Sequence, residues 1–94
     1  MKKTFLILAS LLISFNICAL TYNVTVPAGT KQCYIAGEMN GWSQQIMNKV
    51  DETHYSLTIA SANITHKYKY CSGPLWSYVE NISDNRSYSE NDVV

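Results

Sequence analysis

Apolar and polar side chains alternate in several short stretches of the chain, which is the two-residue period of a half-buried β-strand. The period is clearest in residues 54–60, where Tyr55, Leu57 and Ile59 share one face. It also predicts strands at residues 22–26, 31–36, 46–50 and 64–71, and short ones around Tyr88 and at 92–94. Apolar residues after position 19 nowhere keep helical spacing over three turns. We therefore predict an all-β protein, an antiparallel β-sandwich of about seven short strands.

The N-terminus has the features of an export signal rather than of a strand. Lys2 and Lys3 precede an apolar run at residues 5–17, and Ala19 ends a small-residue cleavage site. We expect a signal peptide at residues 1–19 and a secreted protein, extracellular, periplasmic or at the cell surface. Two alternatives stay open: an uncleaved anchor, and lipidation at Cys18, although residues 15–17 lack the small side chains that such processing prefers.

Residues 20–94 are long enough for one small domain with a thin core. The sequence ends within a predicted strand at residues 92–94, so we expect either a clipped last strand or a fragment of a longer protein. The 94 residues carry seven basic and seven acidic side chains and no net charge. Such a balance disfavours nucleic acid and acidic membrane surfaces as partners. We expect no membrane span once the signal is removed.

Cys33 and Cys71 both follow the predicted cleavage site, and an exported protein meets an oxidising environment. A bond between them would close a loop of roughly 38 residues and contribute about 4 kcal/mol in the chain-entropy model. Alternation puts Cys33 on the core face beside Ile35 but puts Cys71 in step with Lys69. The disulfide therefore remains an open possibility.

The two tryptophans each follow a turn-forming run instead of lying within an apolar period. Trp42 comes after Asn40-Gly41, and Trp76 comes shortly after residues 72–74, Ser-Gly-Pro. Either indole could plug one end of the core, because tryptophan is mostly buried on average. Two tryptophans that both follow turn-forming residues favour a shared exposed surface instead. A flat indole can stack on the C–H face of a sugar ring while polar groups bind the hydroxyls at its rim.

Two polar residues are candidates for that rim. Lys69 alternates with Tyr68 and Tyr70, so its amine points to the face opposite the two phenols and can approach Trp76. Asn85 lies in the polar turn at residues 83–87, and its amide offers both a donor and an acceptor to neighbouring hydroxyls. The alternatives are an ordinary solvated lysine and a plain turn residue.

Catalysis is disfavoured by the distribution of reactive side chains. The seven carboxylates are scattered over turns with no evident acid–base pair for glycoside hydrolysis. His54, His66 and the two later cysteines occur in no nucleophile motif and have no paired metal-ligand spacing. We expect a protein that is not an enzyme and that holds no metal and no cofactor.

Almost the whole of residues 20–94 resembles the starch- and glycogen-binding β-sandwich modules. These comprise carbohydrate-binding module families 20 and 48, with the glycogen-binding domain of the AMP-activated kinase β subunit. The resemblance is carried by residues 33–37, Cys-Tyr-Ile-Ala-Gly, with Asn-Gly-Trp at 40–42, then Tyr-Lys-Tyr at 68–70 with Trp76, then Asn85-Arg86. It implies an immunoglobulin-like fold.

The resemblance also implies a site and a ligand. Trp42, Lys69, Trp76 and Asn85 match the family's main α-glucan site, and Glu80 is a further polar contact by looser analogy. We therefore expect a noncatalytic module that binds α-1,4-glucan, whether starch, glycogen or maltooligosaccharide, beside a separate amylolytic enzyme. The alternatives are a secreted structural or protein-interaction sandwich and an N-terminal fragment of a starch-degrading enzyme.

Overall fold

The computed structural model describes residues 18–94, and within this range it contains β-strands and two short 3-10 helices. The strands are β1 (Cys18–Thr25), β2 (Tyr34–Gly37), β3 (Gln45–Ile46), β4 (Asn48–Asp51), β5 (His54–Ala62), β6 (Tyr68–Cys71) and β7 (Asp92–Val93). The 3-10 helices are Glu38–Asn40 and Trp76–Tyr78. An all-β protein is therefore confirmed for the part of the chain that is described.

The strands form two sheets, ordered β4-β5-β1-β7 and β3-β2-β6. The long antiparallel pair β1–β5 is the spine of the first sheet, with Val24 opposite Tyr55. In the second sheet β2 pairs antiparallel with both neighbours. The expectation of a wholly antiparallel arrangement is wrong at one place, because β7 runs parallel to β1. A chain that returns from the other sheet can meet the free edge of β1 in either direction, and local alternation does not specify which.

One predicted strand is two strands in different sheets. Residues 46–50 divide at Met47, whose amide donates to the Cys33 carbonyl at 2.9 Å and whose side chain is buried. Strand β3 lies before this point in one sheet and β4 after it in the other. The first residues of the predicted strand at 64–71 instead form a turn closed by a hydrogen bond from the His66 amide to the Asn63 carbonyl.

A single hydrophobic core joins the two sheets. The first sheet contributes Tyr22, Val24, Tyr55 and Ile59, and the second contributes Ile35, Tyr68 and Tyr70 among others. Tyr22 and Tyr68 meet edge to face across the core, with 5.0 Å between ring centroids. Tyrosines fill much of this core, and each brings a hydroxyl that needs a partner.

The predicted signal peptide, residues 1–19, lies outside the described residues apart from Cys18 and Ala19, which begin β1. The ladder between β1 and β5 is irregular between Cys18 and Leu20 and regular from Leu20 onward. Cleavage after Ala19 would therefore leave the regular part of β1 intact. Among the described residues, the structure contains no helix of the length and apolar character required to cross a membrane.

Candidate functional site

The turn after β2 holds Trp42 in a fixed place. The Asn40 side chain accepts a hydrogen bond from the Gly37 amide at 2.9 Å and donates to the Ile35 carbonyl at 3.1 Å. The Trp42 amide then donates to the Gly37 carbonyl at 2.8 Å. Asn40 thus stabilises a tight reversal in which the next two residues, Gly41 and Trp42, are both left-handed, with φ of 66° and 62°.

A left-handed backbone is unusual for tryptophan, because its Cβ crowds the following carbonyl. Gly41 adopts the same conformation without that cost. Strain of this kind persists where the surrounding structure over-determines it, and it concentrates at functional sites. The conformation of Trp42 is therefore an observation in favour of function, independent of the side chain's identity.

The second tryptophan is carried by a compact loop after β6. The Ser72 amide donates to the Tyr78 carbonyl at 3.0 Å, and Cys71 forms an isolated bridge with Val79. Gly73 packs so closely on the Tyr78 ring that an added Cβ would lie 2.6 Å from it. The loop is closed at its base, and Trp76 lies at its far end with 45% of its surface exposed.

The structure brings the two indoles together. The ring centroids of Trp42 and Trp76 are 6.3 Å apart, and the ring planes meet at 43°. Trp42 is half-buried and Trp76 is exposed, so neither ring is a plug of the hydrophobic core. The pair forms an angled aromatic surface, here called the indole platform, built from loops that are 34 positions apart in the chain.

Polar residues run in a row across the outer face of the β2–β6 sheet. Lys69 lies opposite Ala36 and, as predicted, points away from the core that Tyr68 and Tyr70 enter. The bridge between Tyr68 and Arg86 places Asn85, an exposed residue, at the register position beside Lys69.

One of the three donors of the Lys69 amine is used by the Ile82 carbonyl at 3.0 Å. Among the described residues, the other donors of this amine make no hydrogen bond. The neighbouring Lys67 is exposed, and its amine donates to the Ser87 hydroxyl at 2.7 Å.

Glu80 does not belong to this row. Its side chain is 4% exposed and bonds the Arg86 guanidinium through both carboxylate oxygens, at 2.7 and 2.8 Å. One of these oxygens also accepts from the Tyr70 amide at 2.9 Å. The carboxylate raises the pKa of Arg86, mainly through these hydrogen bonds. Both oxygens are already used within the fold, so the looser analogy that made Glu80 a sugar contact is not retained.

A second buried carboxylate satisfies the core phenols. Asp92 accepts from the hydroxyls of Tyr68 at 2.6 Å and of Tyr70 at 2.7 Å, and the Arg86 guanidinium lies 3.7 Å away. Burial, followed by the adjacent carboxylate, raises the pKa of both phenols well above the usual range. This cluster of Asp92, Tyr68, Tyr70, Arg86 and Glu80 is called the core network below. It was not apparent from the sequence, because its members are brought together only by long-range pairing.

Cys33 and Cys71 are free thiols, so the structure does not contain the disulfide that the sequence left open. The Cys33 sulfur contacts the Met47 sulfur at 3.7 Å within the core, and burial raises the pKa of Cys33 to about 12. Both cysteines line a largely apolar cavity of about 240 Å³. Neither tryptophan lines this cavity, so it is separate from the indole platform.

Within residues 18–94, no group of three or more His, Cys, Asp or Glu side chains is placed to hold a metal ion. Comparison with protein-family models, with curated proteins and with solved structures found no match. The indole platform and the polar row of Lys69 and Asn85 on the outer face of the sheet are the features that bear on function.

Proposed function

We propose that the protein is a secreted, noncatalytic module that binds α-1,4-glucan, such as starch, glycogen or maltooligosaccharides. The observation that carries the proposal is the indole platform, with two partly exposed rings 6.3 Å apart and inclined at 43°. A coiled α-glucan presents successive glucose rings at an angle to one another. An angled pair of indoles matches that curvature, whereas a flat chain such as cellulose would meet only one ring at a time.

The polar row supplies the other half of recognition. Lys69 retains donors beyond its bond to Ile82, and Asn85 offers an exposed amide at the adjacent register position. In the proposal these two groups bind the 2- and 3-hydroxyls of a stacked glucose and fix the register of the chain. No acid–base pair is required, because the glycosidic bond is held and not cleaved.

The proposed fold is the immunoglobulin-like sandwich implied by the resemblance to starch- and glycogen-binding modules. The two sheets with one shared core support it. Each stacked ring contributes about 0.5–1.5 kcal/mol beyond the area that it buries. The expected dissociation constant is therefore micromolar to millimolar, or about −4 to −8 kcal/mol. Attachment to a granule then needs several copies or a separate amylolytic partner that also binds.

The proposal is tested by incubating the purified protein with insoluble starch and, in parallel, with microcrystalline cellulose. We expect retention on starch, release by maltoheptaose and no retention on cellulose. Quenching or a shift of tryptophan fluorescence on titration with maltoheptaose should report the same event at the platform. Equal recovery from both polysaccharides, or a fluorescence spectrum that maltoheptaose leaves unchanged, contradicts the assignment.

A second candidate is a protein-interaction surface. It is favoured by three apolar side chains that surround Trp76 in the sequence and are exposed by 36–61% of their area, namely Leu75, Tyr78 and Ile82. A folded protein that binds neither starch nor glycogen nor maltoheptaose would support this alternative.

A further inference from the structure

The chain contains four Asn-X-Ser/Thr triplets, the acceptor motif for N-linked glycosylation of exported proteins. They begin at Asn23, Asn63, Asn81 and Asn85. Such triplets also arise by chance in a chain rich in Asn, Ser and Thr, so the motif alone selects none of them. The structure separates the four by the hydrogen bonds that each asparagine side chain makes.

Asn63 begins the turn between β5 and β6, and its side chain is bonded to the third residue of its own triplet. The Asn63 Oδ1 accepts hydrogen bonds from the Thr65 amide and from the Thr65 hydroxyl, each at 2.9 Å. The His66 amide closes the backbone of the same turn by donating to the Asn63 carbonyl at 2.8 Å. This arrangement is an Asx-turn. It holds the carboxamide and the hydroxyl of the motif together in the folded chain.

The Asn63 amide nitrogen, the atom to which an N-linked sugar is attached, is accessible to solvent. It makes no hydrogen bond to any described residue, and it is not among the buried side-chain atoms that lack one. The two residues that follow, Ile64 and Thr65, are both exposed, Ile64 by 62% of its area. A saccharide can therefore be attached at this turn without entering the core.

Asn23 has neither of these properties. It lies in β1, which is paired on one side with β5 and on the other with β7. Its amide nitrogen donates to the Glu90 carbonyl at 3.1 Å. A sugar on this nitrogen would break the bond to Glu90 and would have to pass between chain segments that are already packed.

The two triplets after β6 are exposed but lack the bond between carboxamide and hydroxyl. The Ser87 hydroxyl, the third residue of the triplet at Asn85, accepts a hydrogen bond from the Lys67 amine at 2.7 Å. Among the described residues, no hydrogen bond joins the Asn81 side chain to Ser83 or the Asn85 side chain to Ser87. Asn63 is therefore the one triplet within residues 18–94 that combines an accessible nitrogen with a bonded hydroxyl.

We infer that Asn63 is the residue of this chain that accepts an N-linked oligosaccharide during export. The inference goes beyond glucan binding and rests only on the secretion included in the proposed function. The donor is an oligosaccharide carried on a lipid diphosphate. The Asn63 nitrogen bonds to C1 of the first sugar, and the bond from C1 to the diphosphate breaks, so that the diphosphate leaves with the electron pair.

One amide proton passes to a base of the transferring enzyme. An amide nitrogen is a weak nucleophile, because its lone pair is delocalised into the carbonyl group. The two donors on the Asn63 Oδ1 stabilise negative charge on that oxygen and make the amide proton easier to remove. Thr65 thus acts on the nitrogen through the carboxamide, and a serine hydroxyl at the same position can do the same.

The experiment expresses residues 1–94 in a eukaryotic secretory cell, both unchanged and with residues 1–19 replaced by a signal peptide of that host. The secreted protein is treated with peptide N-glycosidase and analysed by mass spectrometry. We expect a loss of mass on treatment and conversion of asparagine to aspartate at position 63. Thr65→Ala should abolish the modification, and Thr65→Ser should retain it.

The decisive variant is Asn63→Asp, which keeps an oxygen to accept from Thr65 and removes the nitrogen. It should be secreted without sugar. Asn81→Asp is the matched control, since it makes the same change of charge at an exposed triplet and should keep the sugar of the wild type.

A secreted protein that carries no sugar, or that carries sugar on another asparagine and none on Asn63, overturns the inference. A chain that leaves the cell only behind the host signal contradicts the proposed secretion, and the mass of that product still decides the role of Asn63. Neither result depends on whether the protein binds maltoheptaose.

Discussion

The two faces of β6 carry two different kinds of polar chemistry. On the inner face, Tyr68 and Tyr70 donate to Asp92, and the buried charges of the core network are paired with one another. On the outer face, Lys69 lies opposite Ala36 and its amine donates to the Ile82 carbonyl. The polar groups of the core network are paired with one another, whereas the Lys69 amine on the outer face donates to a single carbonyl, that of Ile82, among the described residues. The alternation of a strand thus separates the core network from the candidate site within four residues.

The largest expected effect is on the inner face, from Asp92→Ala. Removing the carboxylate leaves the Tyr70 hydroxyl without its acceptor, leaves the Tyr68 hydroxyl only the Ser87 carbonyl at 3.3 Å, and leaves Glu80 alone with the Arg86 charge. We expect a loss of about 3–5 kcal/mol in the free energy of unfolding, measured by urea denaturation with circular dichroism.

Asp92→Asn tests the same cluster in a protein that stays folded. The amide oxygen still accepts hydrogen bonds, so the free energy of unfolding should fall less, by about 1–2 kcal/mol. The folded protein should bind maltoheptaose with unchanged affinity. The exposed Asp84→Ala should change stability by less than about 0.5 kcal/mol. Equal stabilities for Asp92→Ala and Asp84→Ala would show that the core network is not what holds β7 in place.

On the outer face, the largest effect should come from Trp76→Ala. The ring is exposed, so its removal should leave the circular dichroism spectrum intact and change stability by less than about 1 kcal/mol. Affinity for maltoheptaose should fall by at least about 2 kcal/mol, and retention on starch should disappear. Leu75→Ala is the matched control, because this neighbour is apolar and 61% exposed but is not part of the indole pair. Comparable losses in both variants would point to a general apolar contact rather than to stacking.

The pair Lys69 and Lys67 tests the direction of the strand. Lys69→Ala removes the free donors beside the platform, and we expect it to weaken maltoheptaose binding by about 1–2 kcal/mol. Lys67→Ala removes only a surface bond to Ser87, so its effect should stay below about 0.5 kcal/mol. Both are read by titration at the same ionic strength. A larger loss from Lys67→Ala would mean that the sugar binds elsewhere on the sheet.

The sequence was informative where a local pattern determines the structure. Alternation placed Tyr68 and Tyr70 on the face opposite Lys69, because the side-chain period of a strand is fixed, and the structure buries both phenols in the core. It failed at residues 46–50, where one apolar period continues through Met47 although the chain changes sheets. Periodicity predicts which residues of a strand are buried, but it does not predict which strand pairs with it.

The candidate site shows the same division. Turn-forming residues predicted that Trp42 and Trp76 lie on loops, and their proximity follows only from the pairing of β2 with β6. The pairing of Glu80 with Arg86 was not predicted, because the two side chains meet only through the fold. The left-handed backbone of Trp42 could not be predicted either, because an Asn-Gly pair favours a turn but does not determine which residue ends it.

The smallest effect tests whether the backbone of the platform loop matters for binding. Gly41 and Gly29 both have positive φ, 66° and 95°, and neither has an atom within 4 Å of where a Cβ would lie. Alanine at either position should therefore cost about 1 kcal/mol of stability through backbone strain alone. Gly41→Ala should also weaken maltoheptaose binding severalfold, because relaxation of the turn moves the Trp42 ring out of its 43° arrangement with Trp76. Gly29→Ala should leave binding unchanged. Equal affinities for the two variants, at equal cost in stability, would mean that the sugar does not sense the angle between the rings.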